Sequence, residues 1–194
     1  MKLSLLFTTT SGDISPIPEK NKYILGISSL WILTILRNSL ILLNPYLVLI
    51  IFSISIISPL FWYKYQINSL LHKLDKLLVW IIVIINLKYA IYKLYILFLL
   101  IIYFFYLSEF FIIKRKFKHQ LISHLLFRYF FFIWIYLTYY NTLLQLSLIS
   151  FGYLLHNIYL IKTINKNNLL FNLTQLLFII CLYIKNDYYI KDIN

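Results

Sequence analysis

Charge is scarce in this chain. Only 12% of its 194 residues are Asp, Glu, Lys or Arg, and just six are acidic. A water-soluble domain of this size carries roughly twice that share, so a soluble globular fold is excluded. Glycine is limited to Gly12, Gly26 and Gly152, and Ala90 is the single alanine. That removes the small-xxx-small seam which brings membrane helices very close. It also removes any Gly-rich loop that could cradle a phosphate. Helices must then pack through Leu, Ile, Phe and Tyr. The one cysteine, Cys181, excludes an internal disulfide and every zinc-finger spacing. Of the four prolines, only Pro59 falls within an apolar run, in its last turn, where a kink is tolerated.

Long apolar runs are abundant instead. They cover residues 23–43, 46–63, 77–92, 94–113, 121–140, 143–161 and 169–184. Seven spans of roughly 20 residues would use about 140 positions, which leaves no room for a separate soluble domain. The pattern predicts an all-α, multi-pass transmembrane helix bundle of seven spans. Residues 1–22 form an N-terminal tail, 23–184 the membrane domain and 185–194 a C-terminal tail. The apolar stretch 3–7 is too short for a signal-peptide core, so insertion is expected to rest on the first internal run. Tyr and Trp gather near run ends (Tyr23, Trp62, Tyr63, Tyr92, Tyr139, Tyr140), as interfacial anchors do. The alternative is six spans, with a surface helix before Arg37 followed by one longer span.

The net charge of +12 would point to nucleic acid in a soluble protein. Here the basic residues lie mostly between the runs, where they orient spans and meet anionic headgroups, and nucleic acid is not an expected partner. Alternate segments carry twelve and four Lys or Arg residues. The positive-inside rule therefore predicts a cytosolic N-terminus and a C-terminus on the opposite side. Membrane lipids are the expected partners. Organelle and oligomeric state leave no mark on the sequence.

This topology gathers ionisable residues at the cytosolic end. Ser58 closes the second run. His72 and Asp75 precede the third, and Glu109 lies near the end of the fourth. His124 and Arg128 begin the fifth, sharing a helix face at four-residue spacing, and His156 ends the sixth. Intramembrane ionisable groups are costly and need a reason. The plain structural reason pairs Glu109 with Arg128 across antiparallel neighbours. A lipid-binding reason has Arg128 and Glu109 contact a headgroup or small anion. A catalytic reason needs three neutral His or carboxylate ligands for zinc, which His124, His156 and either His72 or Asp75 could supply. In that reading Asp75 and Ser58 are the catalytic candidates. No HExxH, CxxC or GxSxG spacing supports it.

Two segments resemble a known superfamily. SPLFW (58–62) with KLDK (73–76), and HLLFR (124–128), are similar to motifs of the seven-span superfamily that contains alkaline ceramidases and the progestin and adiponectin receptors. The resemblance implies seven spans and a zinc-dependent amidase-type site in the membrane. Ser58, Asp75 and His124 carry over by position. Trp62 and Arg128 stand where two zinc-ligand histidines belong, and His124 lies in the fifth run rather than the last. The sequence is therefore read as a membrane protein without demonstrable catalytic machinery that binds a lipid headgroup at its cytosolic polar cluster. A metal-dependent hydrolase of lipid amide or ester bonds is the rival. Enzyme activity stays open, with the weight of the sequence against it, and the cofactor is none or, in the rival reading, zinc.

Overall fold

The structure, a computed structural model, describes residues 17–37, 44–64, 69–90, 95–139 and 143–185. Most of both expected tails lies outside these residues. Among the described residues there are seven α-helices and one long 3-10 helix, and no strand. α1 (Glu19–Ser29) runs directly into the 3-10 helix (Leu30–Arg37). α2 (Pro45–Lys64), α3 (Leu70–Ala90), α4 (Tyr95–Ile113), α5 (Phe117–Tyr139), α6 (Leu143–Thr163) and α7 (Leu169–Lys185) follow.

Three of these are long and apolar enough to cross a membrane: Pro45–Lys64, Tyr95–Ile113 and Phe117–Thr138. Leu169–Ile184 is apolar but shorter. α3 falls out because its first turns carry His72, Lys73, Asp75 and Lys76. α6 carries Gln145, Ser147, Ser150, His156 and Asn157 among its apolar residues. The outer faces are apolar: Tyr46, Leu49 and Ile56 on α2, Ile96 and Tyr103 on α4, and Phe178 on α7 are all exposed. In water these would be contiguous sticky patches far beyond what a soluble monomer shows; against hydrocarbon they cost nothing.

The first run is not one continuous α-helix. At its junction the Leu30 N–H bonds Ile27 O, the tighter i to i−3 step. Ser29 Oγ donates to Gly26 O at 2.6 Å and Thr34 Oγ1 to Trp31 O at 2.6 Å, again three residues back. These hydroxyls compete for the carbonyls that an α-helix would use. At about 1.5 Å per α residue and about 2.0 Å per 3-10 residue, the combined rod still reaches roughly 32 Å, a full hydrocarbon thickness.

That rod is the centre of the protein. Every residue from Tyr23 to Ser29 is buried, and Ile24, Leu25 and Ile35 are 1% exposed or less. An element that is apolar all round belongs inside, and this one is surrounded by α2, α5, α6 and α7. Gly152 on α6 makes the closest approach. A Cβ there would sit 3.2 Å from Cη2 of Trp31, which is itself buried. Gly152→Val is expected to destabilise the protein by about 1–3 kcal/mol through overpacking, read as a lower thermal midpoint in detergent.

α4 and α5 form the most extensive helix pair. Their turn is closed by Lys116 N to Phe111 O (2.9 Å) and Arg115 N to Ile112 O (3.0 Å), with Arg115 left-handed at φ 53°. This is the Schellman pattern, in which glycine usually takes the left-handed position. Asn21 Nδ2 donates to Phe117 O at 2.9 Å and fixes the start of α1 beside the start of α5. The end of α4 and the starts of α1 and α5 therefore lie at one end of the bundle, and the Phe61–His72 and Trp62–His124 ring contacts bring the end of α2 and the start of α3 there as well.

α3 packs on α2 and α5, and α4 packs on α5. The backbones of α3 and α4 scarcely approach each other, which leaves a cleft between them.

Candidate functional site

That cleft leads into a cavity of about 90 Å³, several times the roughly 10–15 Å³ that one water requires. Its two ends differ. Toward the start of α5 it is lined by Ser58, His72, Asp75, Lys76, His124 and Arg128, with Glu109 at the edge. Deeper in the bundle it is lined by Ile54, Val79, Val83, Ile101 and Phe131. From Glu109 back to Phe98 on α4, both on its wall, is roughly 16 Å along the helix axis. Trp80 and Tyr106 also line it while being 43% and 64% exposed. They stand on α3 and α4, so on this side the cavity wall is made by residues that also reach the surface.

Each sequence-predicted residue has a defined place. The Ser58 hydroxyl lies within hydrogen-bonding reach of the Asp75 carboxyl. The Asp75 Oδ1 atom is buried with no hydrogen-bond partner in the protein. His124 Nδ1 is 3.2 Å from Ser108 Oγ, and its ring meets Trp62 edge-on at 4.7 Å. His72 stacks on Phe61 with centroids 4.9 Å apart and planes 12° apart.

Glu109 pairs with Lys76 at 3.7 Å, across the mouth of the α3–α4 cleft, and not with Arg128 as the sequence suggested. Both partners are about two-fifths exposed, so the pair itself contributes little to stability. The Lys76 ammonium also lies over the Phe105 ring at 5.8 Å.

Arg128, 6% exposed, reaches the central rod instead. Its Nη1 donates to Leu25 O and, at 2.9 Å, to Ser28 Oγ. Ser28 Oγ lies 3.4 Å from Tyr153 Oη, which donates to Leu125 O at 3.1 Å. This chain of bonds ties α5 to α1, α1 to α6 and α6 back to α5. The guanidinium also sits over the Trp62 ring at 5.7 Å. A cation near the C-terminal end of α1 is the arrangement the helix dipole favours.

His156 stands apart. Trp31 Nε1 donates to its Nδ1 at 3.0 Å, the ring lies against Trp31, and it does not line the cavity. It serves the packing of α6 on the central rod. The fourth histidine, His119, is exposed and rests on Phe111.

Ser28, Tyr153 and Lys76 were not singled out from the sequence. Ser28 and Tyr153 sit inside apolar runs, where nothing in the pattern marks them. Lys76 was counted only as a loop charge, although its place one residue after Asp75 was the available signal.

Among the described residues no group of three or more His, Cys, Asp or Glu side chains could hold a metal ion. Trp62 and Arg128 both crowd His124, and a guanidinium brings positive charge to where a dication would sit. No protein-family model matches the chain, and neither the curated proteins nor the solved structures contain a match.

Proposed function

We propose that this is a seven-span integral membrane protein that takes up one lipid from the side. The headgroup sits at the polar end of the cavity, on the cytosolic side, and no covalent chemistry is performed on it. The observation that carries this reading is the cavity's two-ended lining, walled on its α3 and α4 side by the surface-reaching Trp80 and Tyr106. A hydrophobic wall with a few convergent polar groups is the usual make-up of a small-molecule site. The volume suits a headgroup and the first methylenes; the remaining chain would follow the cleft into the bilayer. Arg128 supplies a planar donor fork suited to phosphate or carbonyl oxygens.

A lipid carrying a diazirine along its acyl chain tests this. Cross-links are expected on Val79, Val83 or Ile101. Adducts confined to outward residues such as Phe151 and Phe178 would overturn the reading.

The rival is a metal-dependent hydrolase of lipid amide or ester bonds. It is favoured by one observation: Ser58, Asp75 and His124, the three positions carried over by resemblance, line the same cavity. Against it stand Trp62 and Arg128 at the two remaining positions.

The seven-span topology has its own test. In a Cys181→Ser background, Ser4→Cys and Lys116→Cys are expected to label from one side and Asn194→Cys from the other. Labelling of all three from the same side would mean an even number of spans.

A further inference from the structure

The polar end of the cavity carries more chemistry than an anion site needs. Its formal charges cancel: Lys76 and Arg128 are cationic, and Asp75 and Glu109 are anionic. The two imidazoles, His72 and His124, add donors and acceptors. Such a wall has no net attraction for an anionic lipid over a neutral one. It does offer separate positive and negative partners to a headgroup that holds both signs.

The individual atoms sharpen this. Arg128 commits Nη1 to α1 and faces the cavity with its remaining guanidinium edge, a donor. Ser58 lies beside Asp75, whose Oδ1 atom is buried without a protein donor. A buried carboxylate oxygen without a donor is costly, and a ligand that supplies an N–H⁺ or O–H removes the cost.

Resting on the lipid reading above, we propose that the ligand is a phospholipid whose phosphate meets Arg128 and whose primary ammonium meets Asp75: a phosphoethanolamine headgroup. A trimethylated ammonium has the same charge and no N–H. It would leave Asp75 Oδ1 unbonded and bring three methyl groups against a buried carboxylate. A site built to hydrogen-bond an N–H discriminates strongly against the analogue that lacks it. An anionic headgroup such as phosphoglycerol brings the same phosphate charge with no ammonium to balance it, among walls that already sum to zero.

The test uses the unaltered full chain in detergent. Native mass spectrometry is run with phosphatidylethanolamine and its N-methyl, N,N-dimethyl and N,N,N-trimethyl forms, all with the same acyl chains, and with phosphatidylglycerol and phosphatidic acid. Phosphatidylethanolamine is expected to bind about tenfold more tightly than the trimethyl form, with the largest single drop at the last methylation, where the final N–H disappears. In Asp75→Asn that ratio is expected to fall to about twofold while some lipid binding persists. Equal binding of the ethanolamine and trimethyl forms would overturn the headgroup assignment and leave the lipid reading standing. A preference for phosphatidylglycerol or phosphatidic acid would do the same. Absence of any bound phospholipid would overturn both.

Discussion

Arg128→Met is expected to abolish lipid retention and to lower the thermal midpoint in detergent. The two losses have one origin. The guanidinium is buried, holds Leu25 O and Ser28 Oγ, and lines the polar end of the cavity. Methionine is similar in length and apolar, so the packing volume survives. The carbonyl of Leu25 and the Ser28 hydroxyl lose a charged donor, and Ser28 is a link in the path to Tyr153 and Leu125. Leaving such buried groups unmet costs roughly 2–4 kcal/mol. For a domain of this length that corresponds to about 5–10 °C. Lipid affinity should fall at least tenfold, because a charge-assisted contact to phosphate is lost. Arg128→Lys is expected to recover only part of either property, since an ammonium cannot serve the rod and the headgroup with one planar fork. Thermal unfolding followed by tryptophan fluorescence, with lipid content measured on the same samples, checks both. A large drop in midpoint with lipid retained would show Arg128 to be purely structural.

Val79→Trp is expected to separate those two properties. Val79 lies on the apolar wall of the cavity, on α3, below Asp75 and Lys76. An indole there would occupy the space proposed for the first methylenes of a lipid. Filling an existing cavity is among the substitutions that stabilise proteins, so the thermal midpoint should hold or rise. Lipid retention should nevertheless fall about tenfold or more. If the polar cluster existed only to fasten helices, this variant would retain as much lipid as the unmodified protein. The comparison with Arg128→Met is what gives the pair its value: one variant loses lipid with stability, the other loses lipid alone.

The collection of ionisable groups at one end of the bundle was legible in the sequence, because alternation of apolar runs forces it. Ser58, Asp75, His72 and His124 follow that logic and share one cavity. Partner choice was not legible. Glu109 finds Lys76 and Arg128 finds α1, because the rotation of each helix about its axis decides which residues face each other. Hydropathy is blind to that rotation when a helix is apolar on every side. Arg128 reaches the Leu25 carbonyl close to the local change from α to 3-10 geometry. That change depends on where Ser29 and Thr34 send their hydroxyls, not on how apolar the segment is. His156 was expected in the site from its depth alone; it faces Trp31 on the other side of the central rod. The number of spans was read from run lengths, and three helices satisfy length and apolarity together. The first run shows why the remainder are harder to read: a segment enclosed by protein and one bathed in lipid have the same composition.

The most direct measurement is native mass spectrometry of the protein extracted in mild detergent, alongside Arg128→Met and Val79→Trp. One phospholipid per chain is predicted on the unmodified protein, and bare chains for both variants. Bare chains throughout, or the same lipid mass retained on all three, would contradict a lipid site in the cavity between α3, α4 and α5.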